Sequence, residues 1–165
     1  KQINLAKIKI GNLNNIKHIH ANFIIPYPNK NNILVSKKLN GGALMDMGPY
    51  AAAISRIFCN DKIISKKIVI KKNRSKLITS FDLSCTYSSK IYTACFKFGG
   101  KYYNELFIKT DKKDIKVERV FSPPDNQELF LFIKEDSINK ILKVKKDNSF
   151  ENFFLEVMKK IKSKN

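Results

Sequence analysis

Between Gly41 and Tyr50 the chain packs three glycines, one carboxylate and one tyrosine into the stretch Gly-Gly-Ala-Leu-Met-Asp-Met-Gly-Pro-Tyr. An ordered glycine costs backbone entropy, so this density marks a place where the chain needs positive φ or close approach to another group. Asp46 and Tyr50 are four residues apart and share one face if the segment is helical. A carboxylate and a phenol on one face can bind a hydroxyl, and one of them can exchange its proton. Spacing alone also allows a plainer reading, with Asp46 as a helix cap and Tyr50 as a core residue whose hydroxyl meets a backbone carbonyl.

The rest of the composition narrows the class of molecule that holds this segment. At 165 residues, with 43% hydrophobic content, the chain is long enough for one domain with a proper core. It begins at Lys1 and its first methionine is Met45, which reads as a piece of something longer. No run of eighteen apolar residues and no charged-then-apolar leader occurs, so neither a membrane span nor a signal peptide is expected, and a cytoplasmic setting is. The net charge of +18 invites a nucleic-acid reading. Its distribution argues against one: of 32 basic residues only Arg56, Arg74 and Arg119 are arginine, the better bidentate reader, and the lysines are spread throughout. The abundance of Lys, Ile and Asn is what AT-rich codons encode. No specific nucleic-acid partner is expected.

Metal and disulfide chemistry find little support. Cys59, Cys85 and Cys95 are odd in number and lack Cys-x-x-Cys spacing, so they read as reduced, mostly buried thiols. His18 and His20 alternate on an extended segment and share a face, but two ligands without a third make a poor metal site.

The elements that must hold Asp46 and Tyr50 can be traced by period. Residues 2–10 read as a helix end closed by Gly11. Lys17 to Tyr27 alternates as a strand with Ile19, Ala21, Phe23 and Ile25 on one face, stopped by Pro26 and Pro28. Residues 29–40 are an Asn-rich loop. Ala43 to Phe58 is helical by the spacing of Met47, Tyr50, Ala51, Ile54, Ile57 and Phe58, and Pro49 means that this helix either begins near Gly48 or kinks there. After Asn60-Asp61 the pattern turns to strands at 64–72, 76–88, 90–98, 102–110, 114–121, 128–135 and 138–145, joined by short polar or glycine turns such as Gly99-Gly100-Lys101. Short connections predict hairpins and antiparallel neighbours. Leu129 to Ile133 is apolar on both faces, which predicts that the second face of the sheet is covered. A closing helix runs from Phe150 to Ile161, with Phe150, Phe153, Phe154, Val157 and Ile161 on one stripe and Ser149 as its N-cap. The fold class is α+β: one large, mainly antiparallel meander with helices on one face.

The glycine segment resembles the Gly-Gly-x-Leu-x-Asp-x-Gly-x-His/Tyr signature of the Gfo/Idh/MocA oxidoreductases, the family of glucose–fructose oxidoreductase and inositol dehydrogenase. The resemblance extends to Gly11-Asn12-Leu13-Asn14-Asn15-Ile16 before the first strand, to Tyr103-Asn104-Glu105-Leu106, and to Glu118-Arg119-Val120-Phe121-Ser122-Pro123-Pro124. The chain departs from the family in its turns, with Asn40 for a third glycine, Asn14 for another, and Thr110-Asp111-Lys112-Lys113 for a Gly-x-x-Gly turn. Family members begin with a Rossmann domain and a Glu-Lys-Pro motif, and neither is present. No Gly-x-Gly-x-x-Gly follows a strand in this chain.

The resemblance implies that residues 1–165 are a single C-terminal substrate-binding and oligomerisation domain, with the Rossmann domain absent. It implies NAD or NADP as cofactor, held by the missing domain and not by this chain, and no metal. Asp46 and Tyr50 would be catalytic, and Gly42, Asp46 and Tyr50 would bind a sugar or nucleotide-sugar substrate beside the family's lysine. Oxidation of a secondary alcohol needs a proton acceptor near its hydroxyl, and a tyrosine serves when a lysine alongside favours the phenolate. Many members carry histidine at the position of Tyr50, so which residue is acid or base stays open. The family assembles through the open face of this sheet, so a homo-oligomer is expected. The alternative is a non-catalytic oligomerisation or interaction domain of the same fold. Tyr102, Tyr103 and Arg119 are further candidates for substrate or partner contact, or strand aromatics with a structural role.

Overall fold

The computed structural model describes residues 1–124, 127–146 and 148–163. Helix α1 (Gln2–Ile10) leads into strand β1 (Ile16–Ile25), and two short 3-10 turns precede helix α2 (Ala43–Phe58). Seven strands follow: β2 (Ile63–Lys72), β3 (Ile78–Tyr87), β4 (Ile91–Phe98), β5 (Tyr103–Thr110), β6 (Lys113–Glu118), β7 (Leu129–Glu135) and β8 (Ile138–Val144). Helix α3 (Ser149–Lys162) closes the described chain. The fold class is therefore the expected one, a large and mainly antiparallel sheet with helices on one face.

The order across the sheet is β2-β3-β4-β1-β5-β6-β7-β8, and it corrects the simple meander. Strand β1 lies between β4 and β5, parallel to β4 and antiparallel to β5. The Gly99-Gly100-Lys101 connection is thus no hairpin: it crosses over the end of β1. Four residues can span the two strand spacings, on the order of 10 Å, that this requires. The glycines allow it, with φ of 90° at Gly99 and 153° at Gly100. A Cβ at Gly100 would stand 3.0 Å from Ile24 Cγ2, and Gly99 N–H donates to the Ile25 carbonyl at 2.9 Å.

The core lies on the helix-bearing face and follows the register. Leu83, Ala94, Ala21, Leu106, Val117, Leu131 and Leu142 form one row across seven strands, from β3 to β8. The neighbouring row runs through Cys85, Tyr92, Ile19, Ile108, Ile115 and Ile133. Helix α1 adds Ala6 and Ile10 above β6 and β7, while α2 adds Met47, Ala51, Ile54 and Phe58 above β1, β3 and β4. The buried Tyr92 hydroxyl donates to the Ala51 carbonyl at 3.1 Å, which satisfies its polar end and pins α2 to the sheet.

The opposite face is bare of any described element, contrary to the cover expected over Leu129 to Ile133. His20, Thr93, Phe107, Lys116, Phe132 and Ile141 line up across it. Lys116 Nζ lies 5.6 Å from the Phe107 ring and 5.8 Å from that of Phe132, so the lysine stem shields part of this apolar surface. Helix α3 also departs from expectation. Its apolar residues Phe153, Phe154, Leu155, Val157, Met158 and Ile161 are exposed rather than packed on the sheet. Its N-cap is Asn148, whose side chain accepts the Glu151 N–H at 3.1 Å; the side chains of Ser149 and Phe150 lie outside those described.

Candidate functional site

Two of the three glycines answer to the chain's own packing. A Cβ on Gly41 would stand 2.6 Å from the carbonyl oxygens of both Ile33 and Leu34, so the preceding loop fills the space that a side chain would need. Gly42 has φ of 120°, a region closed to most residues, and its Cβ would lie 3.0 Å from the Ile78 carbonyl. It is the N-cap of α2 and is buried. Its N–H donates to Leu34 O at 2.8 Å, and its carbonyl accepts Asp46 N–H at 3.1 Å. Gly42 therefore shapes the helix entrance, with its N–H and its carbonyl both engaged within the chain. Gly48 differs, because a Cβ there would meet only Leu44 Cδ1, at 3.6 Å.

Helix α2 runs unbroken from Ala43 through Pro49, so Asp46 lies in its first turn and Tyr50 one turn later. An acid there interacts favourably with the helix dipole. Pro49 denies the Met45 carbonyl its usual N–H partner and leaves an acceptor beside Asp46. Asp46 does not cap the helix, since Gly42 occupies that position without a side-chain bond. Among the described residues no group hydrogen-bonds its carboxylate. Partial burial raises the Asp46 carboxyl above the ordinary value for an aspartate. Asp46 forms part of a cavity of about 370 Å³, with Ile33, Leu34, Leu39, Asn40, Gly41 and Met45 as its other walls. One carboxylate in a cleft lined mainly by apolar side chains is the usual pattern of an orienting group in a small-molecule pocket.

Tyr50 is placed beside this cavity and does not line it. Its ring is 37% exposed and rests against Phe23 and Phe121, with centroids 5.7 and 5.6 Å away. Phe121 in turn stacks on Phe23 at 5.4 Å and leans on Phe96 at 5.6 Å. The ring is thus held while the hydroxyl has no partner among the described residues.

Tyr102 and Arg119 meet at the same end of the sheet, where the guanidinium carbon lies 5.4 Å from the tyrosine ring centre. Tyr103 points to the other face, with Glu105 and Phe107. On that bare face His18 Nε2 and His20 Nδ1 each lie 2.9 Å from the Thr93 hydroxyl. Among the described residues no three His, Cys, Asp or Glu side chains are grouped to hold a metal ion. All three cysteines are free. No described helix is long and apolar enough to cross a membrane.

The sequence motif pointed to Asp46 and Tyr50 but not to the residues that frame them. Ile33, Leu34 and Leu39 come from a loop read as polar, where four apolar residues, Val35 among them, were the available signal. Phe121 follows a strand, and nothing in its spacing foretold contact with Tyr50.

No protein-family model and no curated protein matches the chain. Solved structures do. A 3-ketoreductase from Actinomadura kijaniata, KijD10 in complex with NADP, aligns with a TM-score of 0.77 and 17% identity over 96% of this chain and 47% of its own. An aldose-aldose oxidoreductase from Caulobacter crescentus, complexed with glycerol, gives 0.71 and 13% over 90% of this chain and 44% of its own. The UDP-N-acetylglucosamine 3-dehydrogenase GnnA from Acidithiobacillus ferrooxidans gives 0.62 and 9% over 89% and 44%. The chain spans a little under half the length of each, and at these identities what it shares with them is the fold.

Proposed function

We propose that residues 1–165 form the substrate-facing C-terminal domain of an NAD(P)-dependent oxidoreductase that acts on a hydroxyl or keto group of a sugar or nucleotide sugar. The observation that carries this reading is the Asp46 carboxylate, unpaired among the described residues, in the wall of a cavity of about 370 Å³ with Tyr50 one helical turn away. The fold shared with a 3-ketoreductase, an aldose-aldose oxidoreductase and a UDP-N-acetylglucosamine 3-dehydrogenase supports it. Asp46 would bind and orient a substrate hydroxyl. The Tyr50 hydroxyl, on a ring fixed by Phe23 and Phe121, would hold or release the proton of the reacting oxygen.

The glycine segment at the entrance of α2 does not suit a dinucleotide. The space at Gly41 is filled by carbonyls of its own loop and Gly42 is buried, so this pair offers no open cradle for phosphates. NAD or NADP is therefore assigned to a separate dinucleotide-binding domain, and the chain supplies only the opposing wall. Such a domain is its first partner. A second copy is the next, docked on the bare sheet face through Phe107, Phe132 and Ile141. The free thiols suit a reducing, cytoplasmic setting.

The test is kinetic. In the polypeptide that joins this chain to its cofactor domain, Asp46→Asn and Tyr50→Phe should each lower turnover by roughly a hundredfold or more while cofactor binding persists. Turnover untouched by both substitutions would transfer the case to a purely self-associating domain, the reading that the bare apolar face favours.

A further inference from the structure

We propose that Arg119 is an anion-reading residue at the edge of the Asp46–Tyr50 site, placed to take an oxyanion carried by the substrate, a phosphate or a carboxylate. The inference rests on the sugar-site reading above and adds the chemical class of substrate. Asn104 supplies the geometry. It is 3% exposed on the helix-bearing face, and it holds three neighbours at once. Its Nδ2 donates to the Tyr102 hydroxyl at 3.1 Å, its Oδ1 accepts Phe121 N–H at 3.0 Å, and its backbone carbonyl accepts Arg119 N–H at 2.6 Å.

Tyr102 and Asn104 are two residues apart on one extended segment and so share a face. The guanidinium that stacks on Tyr102 is thereby on the helix side, the side on which Phe121 meets the Tyr50 ring at 5.6 Å. Arg119 also has φ of 52°. Positive φ is uncommon in a residue with a long side chain and costs energy where nothing demands it. Lys76 and Asp136 share that conformation in hairpin turns and Asn40 shares it in the loop before α2, whereas Arg119 directly follows β6.

Its charge is also uncommitted. The adjacent Glu118 pairs with Lys116 at 2.8 Å and Glu105 pairs with the same lysine at 3.3 Å. No carboxylate among the described residues pairs with Arg119. With no carboxylate on it among the described residues, the guanidinium over Tyr102 keeps donors for phosphate or carboxylate oxygens, which its fork takes two at a time. Of the three arginines only this one is half-buried, stacked and held by its backbone beside the candidate site.

The experiment is a titration of the full chain followed by nuclear magnetic resonance of the arginine side chains. UDP-glucose, glucuronate and glucose serve as probes, with Arg119→Gln and Arg74→Gln as variants. Arg74, exposed in the turn between β2 and β3, controls for general attraction to a chain of net charge +18. An Arg119 resonance that moves with UDP-glucose or with glucuronate but not with glucose, and an affinity that falls about tenfold or more in Arg119→Gln alone, are expected. Loss for UDP-glucose identifies a phosphate and loss for glucuronate a carboxylate. Equal effects of the two variants, or no response of Arg119 to either anion, overturns the proposal. It can fail while Asp46→Asn still abolishes turnover. It can also stand where Asp46→Asn changes nothing, which would sink the catalytic reading instead.

Discussion

The ring of Tyr50 stands 5.6 Å from the ring of Phe121, and this contact joins the first turns of α2 to the far end of the sheet. Residues 71 positions apart in sequence thereby share one aromatic cluster with Phe23 and Phe96. Phe121→Ala should destabilise the chain by about 3 kcal/mol, because a buried aromatic is lost from a close-packed cluster. It should also lower turnover beyond the fall in folded protein, since Tyr50 loses a support. Thermal unfolding and kcat measured at a temperature where the variant remains folded separate the two effects. An unchanged kcat would mean that Phe23 alone holds the ring.

The two helix-entrance glycines should behave in opposite ways from Gly48. Gly41→Ala forces a Cβ to within 2.6 Å of two backbone carbonyls, and backbone cannot yield as a side chain tip can. A loss of about 2 kcal/mol or more is expected, visible as a lower melting temperature. Gly48→Ala meets nothing closer than 3.6 Å within a helix and should stabilise by about 0.5–1 kcal/mol. A stabilised Gly48→Ala variant that loses activity would show that a ligand or the cofactor domain approaches the helix there. A destabilised one would contradict the packing described.

How far the sequence foretold all this depends on whether a feature is local. Helix α2, its core face and the alternation of β4 are written in residue spacing. The insertion of β1 between β4 and β5 is not, because a short Gly-Gly connection looks the same whether it joins two neighbours or steps over a third strand. The cavity beside Asp46 was hidden for a similar reason. Its Ile33, Leu34 and Leu39 walls lie in a stretch without period, and only the glycine-tightened turn into α2 brings them to the carboxylate. The expected cover over Leu129 to Ile133 failed instructively, since exposed apolar surface looks like core to a period count.

Lys90 is fully buried, and its ammonium lies 3.1 Å from Leu13 O, 3.4 Å from Phe58 O and 3.5 Å from Asp61. Lys90→Ala should cost about 3 kcal/mol, since two carbonyls and a carboxylate lose their shared partner. The Asp61 carboxyl is held below its ordinary value, first by the Ser89 hydroxyl that donates to it and then by Lys90. A depressed carboxyl contributes stability above its unfolded value, near pH 4, and that stability disappears as pH falls through the folded value. Asp61→Asn should therefore flatten the acid limb of the stability curve below about pH 4. An unaltered limb in unfolding scans would place the acid sensitivity elsewhere.

The bare face of the sheet should be the surface on which copies meet. Ile141 is 63% exposed and Phe107 39% exposed, with Phe132 between them in register. Exposed apolar side chains gathered on one bare face mark an interaction surface. Ile141→Asp should shift the chain toward monomer in sedimentation, by tenfold or more in dissociation constant on the scale of one buried aliphatic side chain. Arg74→Gln, remote from this row, should leave assembly unchanged. A chain that stays monomeric at all concentrations would refute the assignment.

On that same face, where His18 and His20 share the Thr93 hydroxyl, partial burial makes folding acid-sensitive at His20. Partial burial, then the neighbouring His18, holds His20 below the ordinary imidazole value, while Glu105 pulls it up. A histidine with a lowered folded value is favoured neutral in the folded state. Its contribution to stability is present above the unfolded value, about 6.5, and is lost as pH falls through it. One hydroxyl has a single proton and two acceptor positions, and Thr93 also approaches Ile19 O at 3.4 Å. It can accept an N–H from each ring, so the His20 ring is satisfied while neutral. Stability should therefore decline as pH falls below about 6.5, and His20→Asn should weaken that decline. A wild-type curve level across that window, measured by denaturant unfolding at each pH, would show that solvent screens the pair too well for the burial to matter.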